Sequence, residues 1–290
     1  MERILVTGAT GLLGMRLVPY LQSIGHVVVT QSRSANTALR HDLNDADSLS
    51  VALDNLAPTV IVHLAALTNV DACEAAPSLA YAANVRPLES LRFWLSKNTR
   101  VYLVNISTDQ VYDGQGPHLE KDPMPTNYYA FSKYAGELVA QTVSSAILRT
   151  NFFGWGRHPV RRTISDWILQ ELGQGKAINA FKDICFNPLN LPSLLWILGE
   201  IIKAKPRGIF NVGSHGGISK ADLAFALARA FAYDAGLIRV VDSTNAGLKA
   251  YRPRDMRMNC LKIEAEINVR LPSLEDEIKF FLDEYHVATS

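Results

Sequence analysis

The chain has 290 residues, of which 29 are Lys or Arg and 28 are Asp or Glu, so its formal net charge at pH 7 is +1. Hydrophobic residues make up 48% and charged residues 20%, which argues against a disordered, collagen-like or coiled-coil chain. The near-neutral charge indicates no nucleic-acid partner, because binding to phosphates needs clustered Lys and Arg.

Cysteines and histidines give no sign of a metal or disulfide site. Cys73, Cys185 and Cys260 lie far apart without a CxxC motif, and the seven histidines form no ligand motif. We therefore expect no metal. The N-terminus lacks the pattern of a signal peptide, and the apolar run at residues 194–202 is too short to span a bilayer. These features predict a soluble cytoplasmic protein without a membrane partner.

Apolar runs alternate with helix-compatible segments through the first 150 residues. Near-continuous β-branched runs are typical of parallel strands that are buried on both faces. The alternation predicts an α/β fold with a Rossmann-type, doubly wound parallel sheet. The predicted strands are Arg3–Thr7, His26–Thr30, Thr59–Leu64, Val101–Ile106 and Ala146–Arg149, and the predicted helices are Leu12–Ile24, Ala46–Leu56, Pro77–Ser96 and Tyr129–Thr142.

The strand–helix rhythm loosens after residue 150. The sequence there shows no linker and no repeat, so we expect residues 1–150 to form an NAD(P)-binding domain. Residues 151–290 are expected to form a small α/β substrate-binding cap that is partly integrated with it. Predicted helices in this part are Arg162–Leu172, Pro192–Lys203, Lys220–Phe231 (capped by Ser219) and Ser273–Tyr285, and predicted strands are Gly208–Val212 and Ile238–Val241.

A glycine-rich segment, Gly8–Gly14, follows the first predicted strand and opens the first predicted helix. Glycines at such a turn allow the backbone to approach a pyrophosphate, and the amides at the helix N-terminus face that anion. The position of this segment between a strand and a helix predicts a dinucleotide-binding site. The GxxGxxG spacing is that of short-chain dehydrogenases.

The second predicted strand runs into Ser32 and Arg33 with no acidic residue before Asp42. A carboxylate at this place holds the ribose 2′-hydroxyl of NAD and repels a 2′-phosphate. Ser32 and Arg33 instead offer partners for a phosphate. The segment favours NADPH, with NADH as the alternative.

Two further segments carry the residue types of an acid–base site. Thr108 follows the predicted strand Val101–Ile106, at the sheet edge where open α/β folds bind ligands. Tyr129 and Lys133 are four residues apart and share a helix face. A neighbouring ammonium is expected to lower the pKa of the phenol and make it a usable acid or base. Tyr128 lacks this spacing to the lysine.

The order and spacing of these segments resemble the extended short-chain dehydrogenase/reductase family. Within that family the chain is most similar to the dTDP-4-dehydrorhamnose reductases. The likeness rests on VHLAALTNVD (residues 62–71), STDQVYDG (107–114), YYAFSKYAGE (128–137), ILRT (147–150) and the pair Arg252–Pro253. It implies reduction of the C4 keto group of a nucleotide-linked 4-keto-6-deoxy sugar in deoxysugar biosynthesis, by an enzyme that forms a homodimer.

The resemblance also implies roles for individual residues. Tyr129 would be the proton donor, Lys133 would bind the nicotinamide ribose, and Thr108 would complete the catalytic set. The expected cofactor-binding residues are Gly8, Gly11, Leu12, Leu13, Gly14, Ser32, Arg33, Asp42, Leu43, Leu64, Ala65, Ala66, Thr68, Tyr129 and Lys133. The expected substrate-binding residues are Thr108, Asp109, Phe152, Arg252 and Arg254.

Departures from the family pattern leave the sugar and the nucleotide open. Phe152 stands where the family has a tryptophan, and no small serine lies near Met256. Arginines suit the substrate diphosphate because guanidinium groups match phosphate oxygens. The candidates are Arg157, Arg161, Arg162, Arg252 and Arg254, of which the last two are favoured.

Gln110 separates this chain from related enzymes. Sugar-nucleotide 4,6-dehydratases carry a glutamate there, and an amide cannot exchange a proton as a carboxylic acid does. Fucose-type epimerase-reductases place a cysteine nearby, which this segment lacks. Keto-sugar reduction is the remaining simple activity. Two alternatives stay open: another sugar-nucleotide epimerase or oxidoreductase, and a non-catalytic, NADP-binding regulatory protein resembling the beta subunit of methionine adenosyltransferase.

Overall fold

A computed structural model describes residues 1–33 and 37–289. The strands in these residues are β1 Arg3–Thr7, β2 Val27–Ser32, β3 Leu39–Arg40, β4 Val60–His63, β5 Tyr102–Thr108, β6 Ser145–Thr150, β7 Phe152–Phe153, β8 Ile178–Phe181, β9 Cys185–Phe186, β10 Leu189–Asn190, β11 Gly208–Val212, β12 Ile218–Ser219 and β13 Ile238–Val241. Seven of them form the parallel central sheet, in the order β11-β6-β5-β4-β1-β2-β3.

Helices cover both faces of this sheet. Apolar side chains of three helices pack on one face, and those of three others pack on the opposite face, which confirms the predicted doubly wound α/β fold. The helices are α1 Leu12–Ser23, α2 Ala46–Leu56, α3 Val70–Ala75, α4 Pro77–Asn84, α5 Arg86–Leu95, α6 Tyr128–Ala140, α7 Ile164–Gly173, α8 Leu191–Ala204, α9 Lys220–Ala230, α10 Leu261–Ile267 and α11 Leu274–Thr289. The first set is α1, α8 and α10, and the second is α2, α5 and α6.

One predicted helix is wrong. The segment Pro77–Ser96 forms two helices, α4 and α5, which meet at Val85. Pro87 has no backbone N–H, so it cannot continue the hydrogen-bond pattern of α4 and instead occupies the first turn of α5. The other predicted helices and strands are present, with ends that differ by a few residues at most.

The second half of the chain contributes to two cores. Strand β11 pairs with β6 and extends the central sheet, and α8 packs against α1. Helices α7, α9 and α11 enclose a separate apolar cluster with β8 and β13. Ser219 caps α9 by accepting from the Asp222 amide, as predicted. None of the described helices is long and apolar enough to cross a membrane.

Candidate active site

A cavity of about 320 Å³ opens at the carboxyl ends of β1, β4, β5 and β6. The strand order reverses direction between β1 and β4, and ligands of open α/β folds bind at this kind of switch point. The described residues that line the cavity are Gly8, Gly11, Leu12, Leu13, Gly14, Leu64, Ala66, Thr68, Ile106, Ser107, Thr108, Gln110, Tyr129, Lys133, Thr150, Asn151, Phe152, Arg161, Arg162 and Thr163.

The glycine-rich loop forms one wall of the cavity. Gly8 has φ of +66°, and a Cβ on it would lie 2.7 Å from the backbone nitrogen of Ala65, so glycine is required here. A Cβ on Gly11 would lie 3.2 Å from the Gly8 carbonyl oxygen. Helix α1 begins at Leu12 without a side-chain cap and without an acidic residue in its first turn. Its first amides therefore have no acceptor within the helix, and the loop fits a phosphate.

Tyr129 and Thr108 meet on the opposite wall. Thr108 ends β5, and Tyr129 lies in the first turn of α6, whose N-terminus is fixed because the Asn127 side chain accepts from the Ala130 amide at 2.8 Å. The Thr108 hydroxyl lies close enough to the Tyr129 phenol to lower its pKa. It donates to the Asp109 carboxylate at 3.3 Å and accepts from the Gln110 amide at 3.2 Å. A phenol and a hydroxyl thus lie side by side in the cavity.

Lys133 lies one turn after Tyr129 but does not bond to it. Its Nζ donates to the Ile106 carbonyl at 2.7 Å. Burial lowers the pKa of Lys133 to about 8, and the Glu137 carboxylate opposes that shift. Lys133 is 5% exposed and lines the same cavity as Tyr129.

The expected effect of Lys133 on the phenol is wrong. Burial raises the pKa of Tyr129 above its ordinary value, the nearby Thr108 hydroxyl opposes this, and Asp109 adds to it. The ammonium makes its hydrogen bond to Ile106 and not to the phenol, so desolvation decides the direction. Tyr129 consequently keeps its proton at neutral pH.

A buried ion pair lies beneath these residues. The Arg149 guanidinium donates to the Glu137 carboxylate at 2.6 and 3.0 Å, and both side chains are fully buried. Ser107 donates to the same carboxylate, and Arg149 also donates to the Tyr112 hydroxyl at 2.6 Å. This network joins α6 to β5 and β6 directly below the cavity.

Asp109 is 1% exposed and does not line the cavity in the described part of the chain. Burial raises its pKa to about 6, opposed by a hydrogen bond from Asn151 and by the charge of Lys220. The Asn151 Nδ2–Asp109 Oδ2 distance is 2.7 Å. Asn151 lines the cavity itself, so Asp109 acts on the site through this amide.

The sequence profile of the RmlD substrate binding domain matches residues 1–287. The chain belongs to the RmlD family. A dTDP-4-keto-6-deoxy-D-glucose reductase from Streptomyces niveus is 31% identical over 261 residues, which cover 87% of both chains. The rat methionine adenosyltransferase 2 subunit beta is 27% identical over 286 residues, covering 91% of this chain and 82% of that protein.

Solved structures have the same fold as this RmlD-family chain. The dTDP-4-dehydrorhamnose reductase from Bacillus anthracis strain Ames, in complex with NADP, has a TM-score of 0.87 at 23% identity. The match covers 98% of this chain and 99% of that one. The fold is therefore shared over nearly the whole chain.

Most of the predicted cofactor residues lie together in the structure of this RmlD-family chain. Those that line the cavity are Gly8, Gly11, Leu12, Leu13, Gly14, Leu64, Ala66, Thr68, Tyr129 and Lys133. The backbone of Ala65 packs against Gly8. Those that lie outside its lining are Ser32, Arg33, Asp42 and Leu43. Leu43 packs in the core beside Leu5 and Leu49, and Arg33 is exposed.

The predicted substrate residues divide into two groups. Thr108 and Phe152 line the cavity, whereas Asp109, Arg252 and Arg254 do not. Arg252 pairs with Asp71 at 2.9 Å, and Arg254 pairs with Asp183. Both guanidinium groups are thus paired with carboxylates of the chain and lie outside the cavity lining.

Sequence reasoning gave no site role to several residues of the cavity. Ile106 and Ser107 precede Thr108 on β5, so their place at the strand end was a usable signal. Thr150 ends β6 and the ILRT segment, and Asn151 follows it, so both carried the same signal. Gln110 and Thr163 complete the set. Among the described residues, no three His, Cys, Asp or Glu are grouped to hold a metal ion.

Proposed function

We propose that this protein is an NADPH-dependent reductase of the C4 keto group of a nucleotide-linked 4-keto-6-deoxy sugar, which supplies deoxysugars for polysaccharide precursors. One observation carries the proposal: Tyr129 and Thr108 line the same cavity as the glycine-rich loop. A proton donor and a dinucleotide site are thereby brought to one place. The Streptomyces relative is a reductase of such a sugar by name.

The chain's own residues provide the acid half of the reaction. When bound, the reduced nicotinamide supplies the hydride. Tyr129 donates its proton to the oxygen of the reduced carbonyl, and the raised pKa of the phenol means that this proton is present at neutral pH. Thr108, next to the phenol, would donate its hydroxyl proton to the same oxygen in place of the Asp109 carboxylate. General-acid help of this kind contributes about 10²–10⁴ in rate.

The dinucleotide would lie along the glycine-rich wall. Gly11, Leu12 and Leu13 would face its pyrophosphate, Asp42 and Leu43 would border the adenine, and Lys133 would bind the nicotinamide ribose. The geometry of the loop supports this, because a Cβ on Gly11 would fill the space against the Gly8 carbonyl. Leu64, Ala65, Ala66 and Thr68 would flank the cofactor on the next loop.

NADPH is preferred to NADH in this proposal because of the end of β2. The exposed Arg33 has no acidic neighbour there to repel a 2′-phosphate, and Ser32 precedes it on the strand. Residues 34–36, which follow, lie outside the described residues.

The sugar nucleotide would enter from the side of residues 151–290. Phe152 lines the cavity and offers an apolar surface to the sugar, and Asp109 would act through Asn151. Arg252 and Arg254 would have to exchange Asp71 and Asp183 for a diphosphate. A homodimer is part of the proposal only through the family resemblance.

Turnover with defined substrates tests the proposal. The purified chain is mixed with NADPH, and with NADH in parallel, and with dTDP-, UDP- or GDP-linked 4-keto-6-deoxy sugars, while reduced nicotinamide is followed by absorbance. Oxidation with one sugar nucleotide supports the reductase and identifies the carrier. Tight NADPH binding without turnover on any of them contradicts it. That outcome favours a regulatory role, as the name of the rat relative suggests for that protein, and calls for a search for a partner.

A further inference from the structure

Residues 154–163, here called the strap, cross from the second half of the chain to the glycine-rich loop. His158 donates from Nε2 to the Thr10 carbonyl at 3.1 Å, because its Nδ1 accepts two backbone N–H groups of the strap at 2.9 and 3.1 Å. Arg16 of α1 donates to the Trp155 carbonyl. The strap is thus attached to the loop and to α1 at two separate points.

The strap places Arg161 over the glycine-rich loop. Its Nη1 lies 3.7 Å from the position that a Cβ would take on Gly11, and the residue lines the cavity. Within residues 1–33 and 37–289, the Arg161 guanidinium has no hydrogen-bond acceptor and no ion-pair partner. The neighbouring Arg162, by contrast, donates to Gln170 at 2.7 Å and pairs with Glu171 at 3.5 Å.

Two buried polar atoms of the cavity-lining residues have no hydrogen-bond partner among the described residues. The Thr150 hydroxyl is buried, with the residue 5% exposed, and has no hydrogen-bond partner in the described structure. The Gln110 Oε1 atom is also buried and has no hydrogen-bond partner in the described structure. Buried polar atoms without partners are costly, so these two indicate that a polar molecule occupies the cavity. The Arg161 guanidinium is exposed to solvent. Its positive charge lies near Gly11, which precedes the first amides of α1, and this favours an anion there.

We propose that Arg161 binds a diphosphate in this cavity and that the diphosphate is the pyrophosphate bridge of the cofactor. The assignment rests on the proposed function. A guanidinium fork spans two phosphate oxygens, and the Arg161 guanidinium lies near Gly11, at the start of α1. The position against Gly11 selects the cofactor's diphosphate over that of the sugar nucleotide, which would lie nearer Phe152.

Binding measurements with matched variants test this assignment. The affinities of NADPH and NADP⁺ are measured by fluorescence or calorimetry for the wild type, Arg161→Ala, Arg161→Lys and Arg157→Ala. Arg161→Ala should weaken both by about tenfold or more, and Arg161→Lys should weaken them less. Arg157→Ala is the control, because it removes the same charge from the strap at a residue outside the cavity lining, whose guanidinium is 4.0 Å from Glu284.

Two further ligands separate the outcomes. Adenosine 2′-monophosphate lacks a diphosphate and should bind wild type and Arg161→Ala equally. If Arg161→Ala weakens binding of dTDP alone and leaves NADPH unaffected, the assignment to the cofactor is overturned. If neither affinity changes, Arg161 is no diphosphate ligand. A wild-type chain that binds no NADPH overturns the proposed function as well, whereas wild-type binding that Arg161→Ala leaves intact overturns this inference alone.

Discussion

The Arg149 guanidinium donates to the Glu137 carboxylate at 2.6 Å, and neither side chain is exposed to solvent. Removal of one member of such a pair leaves the other charge buried without compensation. Arg149→Met should therefore lower the free energy of unfolding by about 3–5 kcal/mol, as measured by urea denaturation.

The double variant Glu137→Gln with Arg149→Met is the control for this loss. It removes both charges, so its loss should be smaller than the sum of the two single losses by about 0.5–3 kcal/mol. Strictly additive losses would show that the pair does not contribute as a unit.

Activity should depend on the protonation of Lys133. Burial lowers the pKa of this lysine to about 8, so the ammonium loses its proton above that pH. We expect kcat/KM, which reports groups of the free enzyme, to fall above about pH 8. In Lys133→Arg the fall should move to higher pH, because a guanidinium stays charged. An unchanged profile in that variant would assign the fall to another group.

Asp109 should make the free energy of unfolding fall as the pH rises. A carboxylate in an ion pair, whose pKa is lowered, has the opposite effect. Burial raises its folded-state pKa to about 6 from 3.8, so the folded state holds the proton more tightly. Its contribution to stability is then complete below pH 3.8 and is lost as the pH rises to about 6.

An amide at this position has no charge to bury. Relative to wild type, Asp109→Asn should gain up to about 3 kcal/mol in the free energy of unfolding between about pH 4 and pH 7. Denaturant unfolding at several pH values measures the difference. A difference that is constant over this range would refute the raised pKa.

Cofactor preference should follow the charge at the end of β2. Arg33→Asp replaces a phosphate partner with a carboxylate that repels the 2′-phosphate and suits a ribose 2′-hydroxyl. The ratio of kcat/KM for NADPH to that for NADH should fall in this variant. Equal ratios in wild type and Arg33→Asp would remove Arg33 from the cofactor site.

The sequence predicted the site residues whose positions follow from the spacing of nearby residues in the chain. Tyr129 and Lys133 were found through their spacing on one helix, and Thr108 through its place at the end of a strand. The sequence suggested Arg161 only as a ligand of the substrate diphosphate. Its position near Gly11 brings together two residues that are distant in the chain. No local pattern specifies such a contact.

Burial was the other quantity that the sequence could not supply. The direction of the Tyr129 pKa was wrong because the depth of the phenol in the fold, and the turn of Lys133 toward Ile106, arise only on packing. The pairing of Glu137 with Arg149 likewise depends on how α6 lies on β6. The break at Val85, in contrast, was available from Pro87.

The most direct test of the proposed chemistry is Tyr129→Phe, which removes only the phenolic oxygen. Turnover of the accepted sugar nucleotide and the dissociation constant of NADPH are measured on the same preparation. The proton-donor role predicts that kcat falls by about 10²–10⁴ while NADPH affinity stays as in the wild type. Wild-type turnover in Tyr129→Phe would contradict the assignment of Tyr129 as the acid.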